Sequence, residues 1–218
     1  MKPKVCHFPA LLALTSDDWG VSHARQTEIL LDAGVKFIQF RSKSLSTGNF
    51  LMEARLAAKS AKQKGGVLVI NDEPRIAAES GADGVHLGMT DSSPGQARRL
   101  LAEGSMIGRT VHSLAEAHLV ASEDCDYVGL GPYRRSQTKR ELNPVLEQAQ
   151  IQEILAVLHP LPVYLIGGLE LADFDLIGEI GVTGLAVCSA LSKRDAFGVN
   201  LEAFVERAQA FQTMEVLS

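Results

Sequence analysis

Short apolar runs and longer amphipathic stretches alternate along the whole chain. Runs of strand length recur at residues 11–14, 36–40, 67–70, 84–87, 106–108, 127–130, 163–166 and 184–187. Between or after them, apolar positions take helical spacing at 23–33, 48–64, 73–80, 94–103, 113–122, 147–158, 171–179 and 201–211. Ile29, Leu30 and Ala33 carry the spacing of a helix that lies on a sheet. Glycine follows several helical stretches, as in Ala33-Gly34, Ser80-Gly81 and Ile180-Gly181, where a left-handed residue ends a helix before the next strand. Strict alternation predicts parallel strands joined by crossover helices.

Two architectures satisfy that pattern, the closed (β/α)8 TIM barrel and the open doubly wound sheet. Eight repeats in 218 residues match the compact end of barrel sizes. No GxGxxG follows the first strand, which weighs against a dinucleotide-binding sheet. There is no linker, low-complexity tract or shift of composition, so residues 1–218 are expected to form a single barrel domain. The longest irregular stretch, 131–144, follows the sixth strand, and loops of that length in compact domains are usually functional.

Composition narrows the function classes. Apolar residues make up 46% and charged residues 22%, ordinary for a globular protein. A net charge of −5 gives no general attraction to nucleic acid or anionic membrane, so any anion must be held by locally placed Lys and Arg. Cys6, Cys125 and Cys188 are odd in number and lack CxxC spacing, which indicates neither a disulfide framework nor a zinc site and fits a reducing cytoplasm. Lys2 and Lys4 before an apolar run have the outline of a signal peptide. His7 and Pro9 interrupt that run, however, and no small-x-small site precedes Thr15. No segment approaches the roughly 20 apolar residues of a membrane span. Nothing in the pattern sets whether the chain forms a homo-oligomer.

In a barrel, chemistry gathers where strands end and βα loops begin. Those positions read Gln39-Phe40-Arg41-Ser42-Lys43, Asn71-Asp72, Asp91, Thr110 with His112, then Arg134 to Arg140, then Gly167-Gly168, and finally Cys188-Ser189. Glycines and backbone N–H groups after strands seven and eight are a usual barrel cradle for phosphate. Arg41, Lys43 and Lys139 offer charge to a second, more highly charged anion. Asp72 and Asp91 would repel it unless a divalent cation stood between, so the pair reads as a Mg²⁺ site for a diphosphate. Taken singly, each piece has a plainer reading: Asp72 as a helix cap, Asp91 as turn chemistry, Arg134 to Arg140 as a charged loop. Their joint placement on one rim favours the site.

The strings Gln39-Phe40-Arg41-Ser42-Lys43, Ile70-Asn71-Asp72, Asp83-Gly84-Val85-His86-Leu87-Gly88 with Asp91, Asp126-Tyr127-Val128-Gly129-Leu130-Gly131-Pro132, Thr138-Lys139 and Ile166-Gly167-Gly168, in that order, resemble the thiamine phosphate synthase family. The resemblance implies that Gln39, Phe40, Arg41, Ser42, Lys43, Asn71 and Lys139 hold a hydroxymethylpyrimidine diphosphate. It puts Asp72 and Asp91 on the magnesium positions. Thr110 falls where the family usually has a serine near the leaving group, and Ser136, Gln137, Thr138, Gly168, Cys188 and Ser189 fall on the thiazole phosphate contacts. Arg41, Lys43, Thr110 and Lys139 are the expected catalytic set. The chemistry implied is loss of diphosphate, then capture of the pyrimidine cation by the thiazole nitrogen. Met89-Thr90 and Cys188 depart from the commoner family pattern, and Arg134-Arg135 makes the long loop more basic. Three other readings are a thiazole tautomerase with His112 as acid and base, a phosphosugar isomerase, and a barrel that only binds phosphorylated ligands. Asp72, Asp91 and Lys139 favour the synthase, because a tautomerase has no diphosphate to release.

Overall fold

The computed structural model describes residues 8–135, 144–191 and 197–216. Eight strands close into one parallel barrel in sequence order: β1 Leu11–Leu14, β2 Phe37–Phe40, β3 Val67–Asn71, β4 Gly84–Leu87, β5 Met106–Val111, β6 Tyr127–Leu130, β7 Val163–Ile166 and β8 Gly184–Val187. The helices are α1 His23–Asp32, α2 Thr47–Lys64, α3 Pro74–Ser80, α4 Pro94–Arg98, α5 Leu114–Val120, α6 Gln148–Leu158 and α7 Phe197–Val216. Because every strand runs the same way, the described polar strand ends noted above share one rim. Among the described residues, no helix is long and apolar enough to cross a membrane.

Two helical stretches depart most from the pattern. The segment after β7 is a 3-10 turn, Leu171–Asp175, followed by a π turn, Ile177–Gly181, where an α-helix was predicted. Gly178 and Gly181 lower helix propensity in that stretch. Helix α4 stops at Arg98, well short of 103, because the Ala97 carbonyl accepts from both Leu100 and Leu101 and tightens the last turn. Ser22, Ser46, Ser93 and Ser113 each accept a backbone N–H at a helix start.

Period-two alternation sends alternate residues into the barrel. Its interior holds Leu12, Leu14, Phe37, Val69, Met106, Tyr127, Tyr164 and Ala186. The rings of Phe37, Tyr127 and Tyr164 pack with centroids 5.3, 5.7 and 5.9 Å apart, and Phe8 covers them. Such pairs contribute about 0.5–1.5 kcal/mol each beyond area burial. The Tyr164 hydroxyl donates to the Pro9 carbonyl at 2.6 Å, which ties the segment before β1 to the barrel interior. Outward residues form the larger cluster between sheet and helices.

Candidate functional site

The first part of the rim is built by β1 and β2 together. Beyond β2, Ser42 Oγ donates to Asp17 Oδ1 (2.5 Å), the Lys43 backbone N–H to Asp17 Oδ2 (2.8 Å), and Ser44 Oγ to Asp17 Oδ1 (2.7 Å). His23 bridges Asp17 and Thr15 through its two ring nitrogens (3.0 and 2.9 Å), and Thr15 Oγ1 accepts the Arg41 N–H at 2.8 Å. Gln26 fixes the β1 loop in turn, accepting from Ser16 N–H and donating to the Ser16 and Val21 carbonyls. Burial raises the Asp17 carboxyl pKa, but donors from Ser42, Lys43, Ser44 and His23 outweigh it and hold the group well below the usual carboxylate range. A depressed pKa contributes stability that is present above the unfolded value of about 3.9 and is lost as pH falls toward the folded one. The denaturant midpoints of the wild type and Asp17→Ala should therefore differ at neutral pH and converge at lower pH. Equal midpoints throughout would remove this anchor from the account.

The second part is acidic. Asp72, one residue beyond β3, takes φ +67°, a left-handed conformation that Asp tolerates better than most residues. Its N–H donates to the His86 carbonyl at 2.8 Å. Asp72 does not cap α3, whose N-cap position is Glu73 and has no side-chain cap bond. Its carboxylate instead pairs with Lys43 Nζ and meets the carboxyl of Asp91. Asp91 Oδ2 accepts the Gly88 N–H at 2.7 Å, and a Cβ on Gly88 would stand 3.0 Å from that oxygen. The Gly88 carbonyl is held by the buried Arg109, which also pairs with Glu123 at 2.8 Å. Burial first, then the neighbouring Asp72, raises the Asp91 pKa, while Lys43 works the other way. Two facing carboxylates with one lysine between them leave excess negative charge of the kind a hard divalent cation neutralises. Among the described residues no group of three or more His, Cys, Asp or Glu side chains could hold a metal, so substrate oxygens would complete the shell of a cation held by this pair.

Other predicted residues are distributed as follows. Gln39 and Asn71 are buried at the ends of β2 and β3. The Phe40 side chain packs outward against His23 and Phe50, which leaves only its backbone toward the rim. Thr110 lies inside β5 and not beyond it, with Oγ1 2.9 Å from His86 Nε2. Gly167 and Gly168, at φ +111° and +59°, ride against the start of the β6 loop, and a Cβ on Gly168 would meet Arg134 Cβ at 2.9 Å. Arg134 is committed to Asp173 by two bonds of 2.6 and 2.8 Å. Cys188 keeps its thiol protonated: burial raises its pKa against the opposing effect of Arg41 and a hydrogen bond with Ser16. Ser189 opens a 3-10 turn after β8. Ser136, Gln137, Thr138 and Lys139 lie outside the described residues. His112 Nδ1 is 2.5 Å from the Gly131 carbonyl and its N–H donates to Glu116, so this histidine braces the ends of β5 and β6.

The sequence reading did not single out Asp17, His23, Gln26, His86, Tyr127 or Asp173. Two of these had a usable signal: His86 and Tyr127 are polar residues at inward positions of otherwise apolar strands. The others act through loop contacts distant in sequence.

The chain is a closed (β/α)8 barrel whose C-terminal rim pairs two carboxylates with a lysine beyond β2, β3 and β4, with Gly167 and Gly168 across the rim after β7. The chain belongs to the thiamine monophosphate synthase family, whose profile matches residues 11–191. A thiamine-phosphate synthase of Parasynechococcus marenigrum is 41% identical over 168 residues, 76% of this chain and 47% of that protein, so the chain spans about half its length. One of Bacteroides fragilis is 33% identical over 186 residues, 84% of this chain and 91% of that one. Among solved structures, the thiamine phosphate pyrophosphorylase of Pyrococcus furiosus shares the fold with a TM-score of 0.80. It covers 92% of this chain and 96% of that one at 23% identity.

Proposed function

We propose that this chain makes thiamine phosphate, joining 4-amino-2-methyl-5-hydroxymethylpyrimidine diphosphate to 4-methyl-5-(2-phosphoethyl)thiazole with release of diphosphate. The observation that carries the reading is the meeting of Asp72, Asp91 and Lys43 on the rim that also bears Gln39, Asn71 and Thr110, in a member of this family. The bond from the pyrimidine methylene to the diphosphate oxygen breaks, and its electron pair leaves with the diphosphate. The ring stabilises the resulting cation, and the lone pair of the thiazole nitrogen forms the new C–N bond. Lys43 and Arg41 face the departing charge, joined by Lys139 from outside the described residues. Donors placed where charge develops stabilise the transition state more than the ground state. When bound by Asp72 and Asp91, Mg²⁺ would add positive charge at the diphosphate oxygens. No side chain has to act as base or nucleophile, because the attacking nitrogen already has its lone pair. Ser136, Gln137, Thr138, Gly168, Cys188 and Ser189 remain the proposed thiazole phosphate side. The reading needs small-molecule substrates only and suits a cytoplasmic enzyme.

The test is an end-point assay with both substrates and Mg²⁺, reading thiamine phosphate as fluorescent thiochrome. Product that disappears with EDTA is expected. No product from folded protein would overturn the proposal and move attention to His112.

A further inference from the structure

A line of buried polar groups crosses the barrel beneath the rim, and the chemistry set out above uses only its ends. Gln39 on β2 approaches the Tyr127 hydroxyl on β6. That hydroxyl lies 3.0 Å from His86 Nδ1 on β4, and His86 Nε2 lies 2.9 Å from Thr110 Oγ1 on β5. The sheet is cleared to admit it. His86 and Tyr127 flank Gly108 in register, where a Cβ would come within 2.4 Å of His86 Nδ1 and 2.2 Å of the Tyr127 ring. Gly129, paired with Thr110, leaves room on the other side, with His86 Cε1 3.2 Å from where its Cβ would stand.

Donor accounting gives the line a direction. Burial raises the pKa of the Tyr127 phenol far above its ordinary value and keeps it protonated, and His86 Nδ1 is the acceptor within hydrogen-bond reach of it. The phenol must then spend its own proton on His86 Nδ1. A neutral imidazole that accepts at Nδ1 carries its proton on Nε2. That N–H donates to Thr110 Oγ1, so the Thr110 proton is directed away from the ring.

We infer that His86 is a positioning residue for the reaction, locked by Tyr127 as the Nε2–H tautomer so that the Thr110 hydroxyl is presented to the leaving diphosphate as a donor. This rests on the synthase reading of the site and deepens it.

Two measurements test the inference. The first is the ¹⁵N shift pattern of His86 in the folded wild-type protein, which needs no variant: protonated Nε2 with bare Nδ1 is expected, and the Nδ1–H tautomer would overturn the proposal. The second is a double-mutant cycle on thiochrome-measured turnover, with each variant checked by thermal melting. His86→Ala should lower kcat by about tenfold, the worth of one hydrogen bond, with little change in KM. His86→Gln, whose amide can still donate toward Thr110, should recover part of that loss, whereas His86→Asn should not. In a Thr110→Val background, His86→Ala should have almost no further effect on kcat. A full tenfold loss in that background would show that His86 acts through the fold and not through Thr110, with the synthase reading left standing. A wild type that forms no product would instead remove the reading and this role together.

Discussion

Asp72→Asn and Asp91→Asn should each lower kcat by about a hundredfold or more, on the order of 3 kcal/mol of transition-state stabilisation, while leaving the metal-free protein at least as stable as the wild type. The two effects have opposite signs for one reason. The carboxylates face each other, and among the described residues Lys43 and the Gly88 N–H only partly offset them, so removing one charge relieves repulsion in the resting protein. The same change removes a ligand from any cation that binds there. Millimolar Mg²⁺ should accordingly raise the melting temperature of the wild type by mass action and do little for either variant. Undiminished turnover in both variants, or an equal Mg²⁺ response in all three proteins, would count against a metal at this pair.

Gly108→Ala should be strongly damaging, because its new methyl points at two buried rings. The new methyl would press on His86 and Tyr127 at 2.2–2.4 Å, and the Tyr127 ring is packed against Phe8, Phe37 and Tyr164. Overpacking of this kind costs roughly 1–3 kcal/mol and displaces the side chains it strikes. Gly129→Ala supplies the control, since its Cβ would meet His86 at 3.2 Å, a contact that small shifts absorb. Denaturant unfolding should rank the proteins wild type, Gly129→Ala, Gly108→Ala, with kcat following the same order. A Gly108→Ala protein as stable as Gly129→Ala would mean that the interior is looser than the ring packing implies.

The barrel was legible in the sequence because its signal is repeated eight times: each apolar run is a buried parallel strand, and each crossover is amphipathic. What blurred was local. The strand around 106–108 continues to Val111 because Arg109 and Thr110 lie in the ladder, Arg109 paired with Glu123 and Thr110 with His86. Period-two reasoning stops at a polar residue, although a polar residue with a buried partner does not end a strand. Residues 171–179 looked helical by apolar spacing, yet Gly178 and Gly181 relax the segment to other geometries. For the site, residues at strand ends could be found from the barrel rule alone. Asp17 could not, since its partners Ser42, Lys43 and Ser44 are 25 to 27 positions away and join it only once β1 and β2 are paired.

That pairing bears on how the molecule can be taken apart and recombined. The loop after β2 has little conformation of its own, because its shape is imposed by Asp17, Thr15 and His23 from the preceding repeat. A chimaera that exchanged only the residues around Arg41–Ser44 would move a binding loop and leave its mould behind. The smallest transferable piece on this side of the barrel runs from β1 through the start of α2. Cutting between the first and second repeats should disable a hybrid even when every substrate-facing residue matches.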